Sequence, residues 1–254
     1  MAREQSERSA RGRRGFLKSS VGVGGGLAAA SFIGAFGLGG ADAPADDLAT
    51  IVNLAATAET LAVAFYYAVL AGATFHIGED DAERLKLVMD AEMHHLQILQ
   101  SLGGRSLTER FYLPARVLSD ARTFVDTGLR AETVFAGAYL AATHQLAALG
   151  QPALAATAAQ HGASEAQHLT LIGHVAGLGP RQLTLPAPLY YHTSDALPEL
   201  APFIKGGAGF GQPASFPSPG QYQSALGGVA AVRSRSFLEA YGKDTISAGY
   251  RRAR

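Results

Sequence analysis

Apolar residues are concentrated between residues 46 and 179, where they form four long stretches separated by residues typical of turns. The breaks contain glycine, aspartate or proline, which commonly end or begin helices. Residues 104–118 contain Pro114 and show little periodicity, so we expect a long crossover connection there. The pattern therefore predicts four helices, at about residues 46–76, 80–102, 119–149 and 152–177.

The composition agrees with an all-α fold. Alanine and leucine are abundant in this region, tryptophan is absent, and aromatic residues make up 8% of the chain, which favours helices over a β-sandwich. Two short turns and one long connection are typical of a four-helix bundle with a single crossover. We therefore predict that residues 46–179 form such a bundle.

After residue 180 the composition changes, and proline and glycine become frequent. We predict that residues 180–254 form an extension that wraps the bundle, with one helix at about residues 221–241. A largely disordered tail is the alternative.

Paired arginines near the N-terminus, Arg13 and Arg14, are followed by a weakly hydrophobic, glycine-rich stretch at residues 21–40. This order resembles the twin-arginine export signal. A small-residue cleavage site follows, so we predict a signal peptide at residues 1–43 and a mature chain that begins near Pro44. A basic tail with a flexible linker and a membrane anchor are the alternatives.

Export would make the twin-arginine translocation machinery a partner of the chain. The protein would then lie in the periplasm, in the cell envelope or outside the cell. This machinery carries proteins that are already folded and often loaded with cofactor, so a metal centre assembled in the cytoplasm would be compatible with it.

Charge and cysteine content exclude several classes of function. Outside residues 1–43 the chain has 15 basic and 18 acidic residues, and this net charge of −3 argues against a nucleic-acid partner. The chain has no cysteine, so thiolate metal sites, disulfides and cysteine nucleophiles are excluded. Any metal ion must therefore be held by oxygen atoms and imidazole nitrogen atoms.

Two short motifs have the same form, a glutamate followed three residues later by a histidine. They are Glu92 with His95 on the second predicted helix, and Glu165 with His168 on the fourth. Residues separated by three positions share a helix face. One such motif could be part of a solvated surface, but two in one bundle require a better explanation.

The other two helices each carry a glutamate within an apolar run, Glu59 on the first and Glu132 on the third. A carboxylate in a core is costly unless it is paired or bound to metal. The separation of Glu59 from Glu92 equals that of Glu132 from Glu165, and each of these residues recurs at one constant offset in the second half. The site is therefore an internal repeat whose carboxylates lie at one level of the bundle.

One glutamate from each of two helices, with Glu-x-x-His from each of the other two, resembles the ligand pattern of the ferritin-like di-iron and di-manganese carboxylate proteins. The resemblance covers all four predicted helices and implies six metal ligands, which are Glu59, Glu92, His95, Glu132, Glu165 and His168. It further implies that Glu92 and Glu165 bridge two metal ions and that each of the other four binds one ion.

The export signal and the long extension resemble the bacterial ferritin-like proteins that are grouped with desiccation-related proteins, and they differ from cage ferritins. The resemblance implies two metal ions as cofactors. Carboxylate oxygens mixed with two imidazoles suit iron, which is the first expectation, or manganese, which is the second. Small oxidants such as O2 or H2O2 are the expected reaction partners, and a homo-oligomer is compatible with this class.

Two main functional hypotheses follow. The first is an oxidoreductase, with oxidase, peroxidase or catalase-like chemistry on oxygen, peroxide or ferrous iron. The second is a non-catalytic stress or desiccation-related envelope protein whose metal ions only stabilise the bundle. Mineral storage is a third interpretation, but it requires a closed shell of subunits.

Tyr66 and Tyr139 lie two helical turns after Glu59 and Glu132 and are therefore expected on the same helix faces. We expect their hydroxyls to hydrogen-bond to ligand carboxylates. An electron-donating role, with Tyr66 favoured, is the functional alternative.

His161 precedes Glu165 by one helical turn, so its side chain could face the site. Its equivalent in the first half is Val88, however, and a valine cannot bind metal. We therefore interpret His161 as a core histidine or as one that supports the site.

Overall fold

A computed structural model describes residues 45–178 and 185–241 of the chain. Four long helices form the bundle, and they are α1 at Leu48–Gly72, α2 at Glu79–Ser101, α3 at Ala121–Ala148 and α4 at Pro152–Val175. The predicted all-α four-helix fold is thus confirmed. The predicted signal peptide at residues 1–43 and the predicted start of the mature chain at Pro44 lie outside the described residues.

Local sequence explains where these helices begin. Asp47 caps α1 by accepting a hydrogen bond from the Thr50 backbone nitrogen at 2.7 Å. Asp120 caps α3 in the same way through the Arg122 nitrogen at 3.3 Å. Pro152 occupies the start of α4, where its missing N–H has no helical partner to lose.

The first helix is shorter than predicted, because it ends at Gly72 and not near residue 76. Ala73 has an extended backbone, with φ −64° and ψ 135°. The next backbone nitrogen, that of Thr74, donates to the Leu118 carbonyl at 2.7 Å. A contact with the distant crossover connection therefore replaces the last predicted turn of the helix.

The bundle consists of two helical hairpins, in which α1 packs mainly on α2 and α3 packs mainly on α4. Helix α1 is long and apolar enough to cross a membrane, but 78% of its most apolar 18-residue segment is buried within the bundle. Its position as a core helix accounts for that composition. Two clusters of buried apolar side chains fill the bundle, one toward each end.

The crossover connection contains a strand that the sequence pattern did not predict. Strand β1 at Arg110–Pro114 pairs in antiparallel fashion with β2 at Phe210–Ser215, in the extension. Phe111 and Leu113 are buried in the core, while the residues beside them are more exposed. The strand is too short for a clear alternating pattern, and its partner is distant in the sequence.

The extension also contains a 3₁₀ helix at Thr193–Ala196, α5 at Leu197–Lys205 and α6 at Pro219–Leu226. The single helix predicted at residues 221–241 is wrong. Gly227 and Gly228 have φ values of 58° and 90°, and these positive values end α6. Residues 237–241 form a separate helical turn.

Side chains of the bundle hold the extension by accepting hydrogen bonds from its backbone. Gln145 on α3 accepts from the Thr193 nitrogen at 2.7 Å. Gln160 on α4 accepts from the Phe237 nitrogen at 2.6 Å. Residues 185–241 therefore lie against the bundle at several separate points.

Asp90 on α2 accepts more of these contacts than either glutamine. It is buried and accepts hydrogen bonds from the Tyr222 hydroxyl, from the Ala231 backbone nitrogen at 2.8 Å and from the Arg233 guanidinium at 2.8 Å. One carboxylate thus binds three points of the extension to the second helix.

Replacing Asp90 by alanine should lower the free energy of unfolding by about 2–4 kcal/mol, because it leaves the buried Tyr222 hydroxyl and the half-buried Ala231 nitrogen without an acceptor. Asp126→Ala is the matched control, since Asp126 pairs with Arg122 on the surface and should contribute less than about 0.5 kcal/mol. Urea unfolding of both variants measures the difference. Equal effects would show that Asp90 does not anchor the extension.

Candidate metal centre

Each of the four helices contributes at least one acidic side chain to a single buried cluster in the middle of the bundle. Apolar side chains lie on both sides of this cluster along the bundle. The cluster has four carboxylates and two imidazoles, and all six residues are buried: Glu59, Glu92, His95, Glu132, Glu165 and His168. The structure thus brings together all six residues that the sequence pattern selected.

The His95 imidazole faces three carboxylates through its Nδ1 atom. This nitrogen lies 3.2 Å from Glu92 Oε2 and 3.3 Å from Glu165 Oε1. Glu59 Oε1 is slightly farther away, at 3.6 Å. The donor atoms of these four residues lie within 4.8 Å of one another, and we call them the His95 group.

The His168 imidazole is the centre of a second group, again through Nδ1. This nitrogen lies 2.8 Å from Glu92 Oε1 and 3.3 Å from Glu165 Oε2. Glu132 Oε2 is at 3.6 Å. These donor atoms also lie within 4.8 Å of one another, and they form the His168 group.

The two groups overlap in two carboxylates. Glu92 and Glu165 belong to both groups, and each of them directs one oxygen toward His95 and the other toward His168. The remaining glutamates each belong to a single group. The arrangement therefore contains two adjacent positions for a cation, with two acids shared between them.

Many polar atoms of this cluster have no hydrogen bond. Among the described residues, eight buried side-chain nitrogen or oxygen atoms have no partner, and all but one of them belong to this cluster or to His161. His168 Nδ1 and Glu92 Oε1 are only 2.8 Å apart, yet neither atom makes a hydrogen bond. The distance would allow one, but the angles between the two groups do not. Atoms that converge on a common centre without pointing at each other suit a cation, and burying them without one would be costly.

The donor types also fit transition metals. Carboxylate oxygens combined with imidazole nitrogens suit iron and manganese, and two divalent ions would offset the charge of four carboxylates. Ser164 Oγ lies 3.4 Å from His168 Nε2, the ring nitrogen that does not face the carboxylates. Such a contact fixes the orientation of a ligating imidazole.

The two tyrosines hydrogen-bond to carboxylates of the cluster, as expected, and each of them does so across the bundle. Tyr66 on α1 donates to Glu132 Oε1 on α3, and Tyr139 on α3 donates to Glu59 Oε1 on α1. Each tyrosine therefore holds the carboxylate of the opposite helix. This reciprocal arrangement follows the same internal repeat as the six donors.

His161 lies directly beside the cluster. Its Nδ1 is 3.0 Å from the Tyr139 hydroxyl, and its ring stacks on that of His95 with centroids 4.3 Å apart. Its position one turn before Glu165 was the only sequence signal, and the valine at the repeat-equivalent position obscured it. His94, in contrast, lies 3.3 Å from the Ser234 carbonyl of the extension.

The four acids form two pairs that differ in pKa. The outer acids, Glu59 and Glu132, each belong to one donor group, and the inner acids, Glu92 and Glu165, belong to both. Burial and the charges of Glu92 and Glu165 raise the pKa of Glu59 well above its ordinary value. Burial and the charge of Glu92 raise the pKa of Glu132 in the same way. Burial also acts to raise the pKa of Glu92, but the neighbouring His168 outweighs it and holds that pKa below the usual range. The neighbouring His95 and His168 imidazoles likewise outweigh burial and the charge of Glu92, and they lower the pKa of Glu165.

The histidines respond to the same charges. Burial opposes protonation of His95, but the Glu59 carboxylate outweighs it and raises the pKa of this imidazole well above its ordinary value. Glu92 outweighs burial at His168 and raises its pKa likewise. The outer acids and both imidazoles therefore retain protons to a higher pH than isolated side chains would.

Residues 47–178 match the model of the family described as the ferritin-like domain, and this match covers slightly more than half of the chain. The chain therefore belongs to the ferritin-like family. Its bundle and its cluster of buried glutamates and histidines are compatible with a di-metal site. No curated protein and no solved structure gave a significant match.

The retained protons predict a pH-dependent metal affinity. A metal ion must displace them, so affinity should rise with pH by about tenfold per pH unit for each proton released. The raised pKa values of His95 and His168 should extend this rise above pH 6.5, the ordinary value for histidine. Calorimetric titration with manganese(II) at several pH values, in buffers of different ionisation enthalpy, measures both quantities. An affinity that is flat above pH 6.5, with no proton release, would contradict this electrostatic account.

Proposed function

We propose that this chain is an exported ferritin-like protein that binds two transition-metal ions, iron first and manganese second, and performs redox chemistry on oxygen, peroxide or ferrous iron. The observation that carries the proposal is the pair of overlapping donor groups. Glu92 and Glu165 each present one oxygen to either group, as a bridging carboxylate would. A structural site for one ion would not need two shared carboxylates.

In this proposal each donor group serves one ion, and the two shared carboxylates serve both. Two adjacent redox-active ions can each supply one electron to a bound oxidant. The surrounding residues would hold the metal ligands in place and exclude water from the site. Tyr66 and Tyr139 hold the outer carboxylates in place, and the apolar clusters on both sides exclude bulk water.

A small cavity supports an oxidant of a few atoms. It has a volume of about 20 Å³, lies between α1, α3 and the start of α5, and reaches Tyr139. Its lining is almost entirely apolar and includes Leu54, Val134 and Leu197. A space of this size holds about one water-sized molecule, so it suits O2 or H2O2 better than an organic substrate.

The non-catalytic alternative has one observation in its favour. All four carboxylates are deeply buried, so metal ions could be needed simply to offset their charge. In that case the site would stabilise the bundle of a stress or desiccation-related envelope protein, and no turnover would be expected.

Turnover by the iron-loaded protein separates the two functions. Protein loaded with ferrous iron without air should consume O2 or H2O2 with oxidation of its iron, as followed by an oxygen electrode and by absorbance. Glu92→Ala should reduce the rate to that of free ferrous iron, because it removes a shared ligand. Glu83→Ala, an exposed change on the same helix, should behave like the wild type. If chelation lowers the melting temperature but the loaded protein reacts with neither oxidant, the structural function is correct.

The tyrosines allow a second test of the site. Tyr66→Phe and Tyr139→Phe retain packing but release Glu132 and Glu59, so metal affinity should fall by about 10- to 100-fold. If one tyrosine also donates an electron, its variant should slow oxidation of the centre even at saturating metal. Tyr67→Phe is the matched control, since Tyr67 is a half-buried neighbour on the same helix. Unchanged affinity and unchanged oxidation rate in both variants would reduce Tyr66 and Tyr139 to packing residues.

Export can be tested independently of the metal chemistry. Replacing Arg13 and Arg14 together by lysine should retain the protein in the cytoplasm, because the proposed signal depends on the arginine pair. Replacing Arg3 and Arg8 by lysine preserves the pair and serves as the control. Immunoblots of cytoplasmic and envelope fractions measure the distribution. Normal envelope levels of the variant without the arginine pair would contradict the proposed signal.

A further inference from the structure

The six donors obey the internal repeat, but His161 does not. The position equivalent to His161 in the first half of the chain is occupied by Val88, a buried core residue. A third imidazole therefore lies beside one donor group and has no counterpart at the equivalent position beside the other. The two halves of the centre are chemically unequal at this point.

His161 lies on the side of Glu59 and His95. It is 3% exposed, and its Nδ1 lies 3.9 Å from Glu59 Oε1. Its ring is nearly parallel to that of His95, with an interplanar angle of 17°. One of its ring nitrogens lies within 4.8 Å of donor atoms of both residues.

The directions of the hydrogen bonds show which ring nitrogen remains available. The Tyr139 hydroxyl has a single hydrogen, which it donates to Glu59, so it must accept the hydrogen bond from His161 Nδ1. The proton of a neutral His161 imidazole is then on Nδ1. Nε2 keeps a lone pair, and among the described residues this buried atom has no hydrogen-bond partner.

A buried imidazole that keeps a free lone pair, and whose ring belongs to one group of possible metal donors with Glu59 and His95, is itself a candidate donor. We propose that His161 is a seventh metal donor that serves only the ion held by Glu59 and His95, so that the two ions are bound unequally and this position fills first. The inference rests on the proposed two-metal site. The second imidazole gives this position two nitrogen donors where the other has one, and nitrogen donors favour zinc and other later divalent metals over manganese.

The test compares the order of filling in the wild type and in His161→Val, which installs the residue that the repeat itself carries. Crystals of the full chain with one equivalent of zinc(II) should show anomalous scattering mainly at the Glu59/His95 position. A His161 nitrogen should lie about 2.0–2.1 Å from the ion. Calorimetric titration with zinc(II) should resolve two steps in the wild type. His161→Val should still bind two ions, but the difference between the two stepwise affinities should narrow, and the first zinc ion should be distributed about equally between the two positions.

Two further variants keep the test decisive if His161→Val folds poorly. His161→Phe keeps a ring to stack on His95 but removes the nitrogens, so it should also equalise the two positions if the valine variant folds poorly. The exchange variant, Val88→His with His161→Val, should reverse the order of filling. At one equivalent of zinc(II), equal occupancy of the two positions in the wild type, or an order of filling unaffected by loss of His161, would overturn the inference while leaving the two-metal function intact. A folded wild-type chain that binds no zinc would overturn both.

Discussion

The main constraint on this structure is that four carboxylates are buried in the middle of an otherwise apolar bundle and must be neutralised there. Carboxylates at this depth are unfavourable unless other groups neutralise and hydrogen-bond them. The chain supplies two imidazoles between them and a tyrosine hydroxyl to each outer acid. Several oxygens still have no partner among the described residues, and two cations would complete the set. The apolar clusters on either side surround the site and hold the helices together.

Internal repetition gives this constraint a simple architecture. Each hairpin contributes one lone glutamate and one Glu-x-x-His motif, so the donors of the two halves correspond position by position. The departures from symmetry are specific. His161 adds an imidazole to one half, and Asp90 on α2 binds the extension where the equivalent position on α4 is Ala163. One half of the repeat thus carries an extra polar group beside the candidate metal centre, and the other carries the anchor for the extension.

The site could be predicted from the sequence because its residues obey helix geometry and a repeat, both of which are visible along the chain. Helical spacing is enough to place Glu92 and His95 on one face, and the constant offset between the two halves of the chain identifies the corresponding donors. The pairing of β1 with β2 could not be predicted, because it joins distant segments through backbone atoms. The break at Gly227 was missed because the apolar pattern around it resembles a helix. The contact of the buried His161 with Tyr139, in contrast, agrees with its interpretation as a core or supporting histidine.

The central claim is that the cluster holds two metal ions that share Glu92 and Glu165. The most direct measurement is the metal content of protein purified from its native cells without chelators, combined with a magnetic spectrum of the bound metal. Our account predicts two transition-metal ions per chain, magnetically coupled through the shared carboxylates. A fully folded protein with no transition metal, or with a single isolated ion per chain, would contradict it.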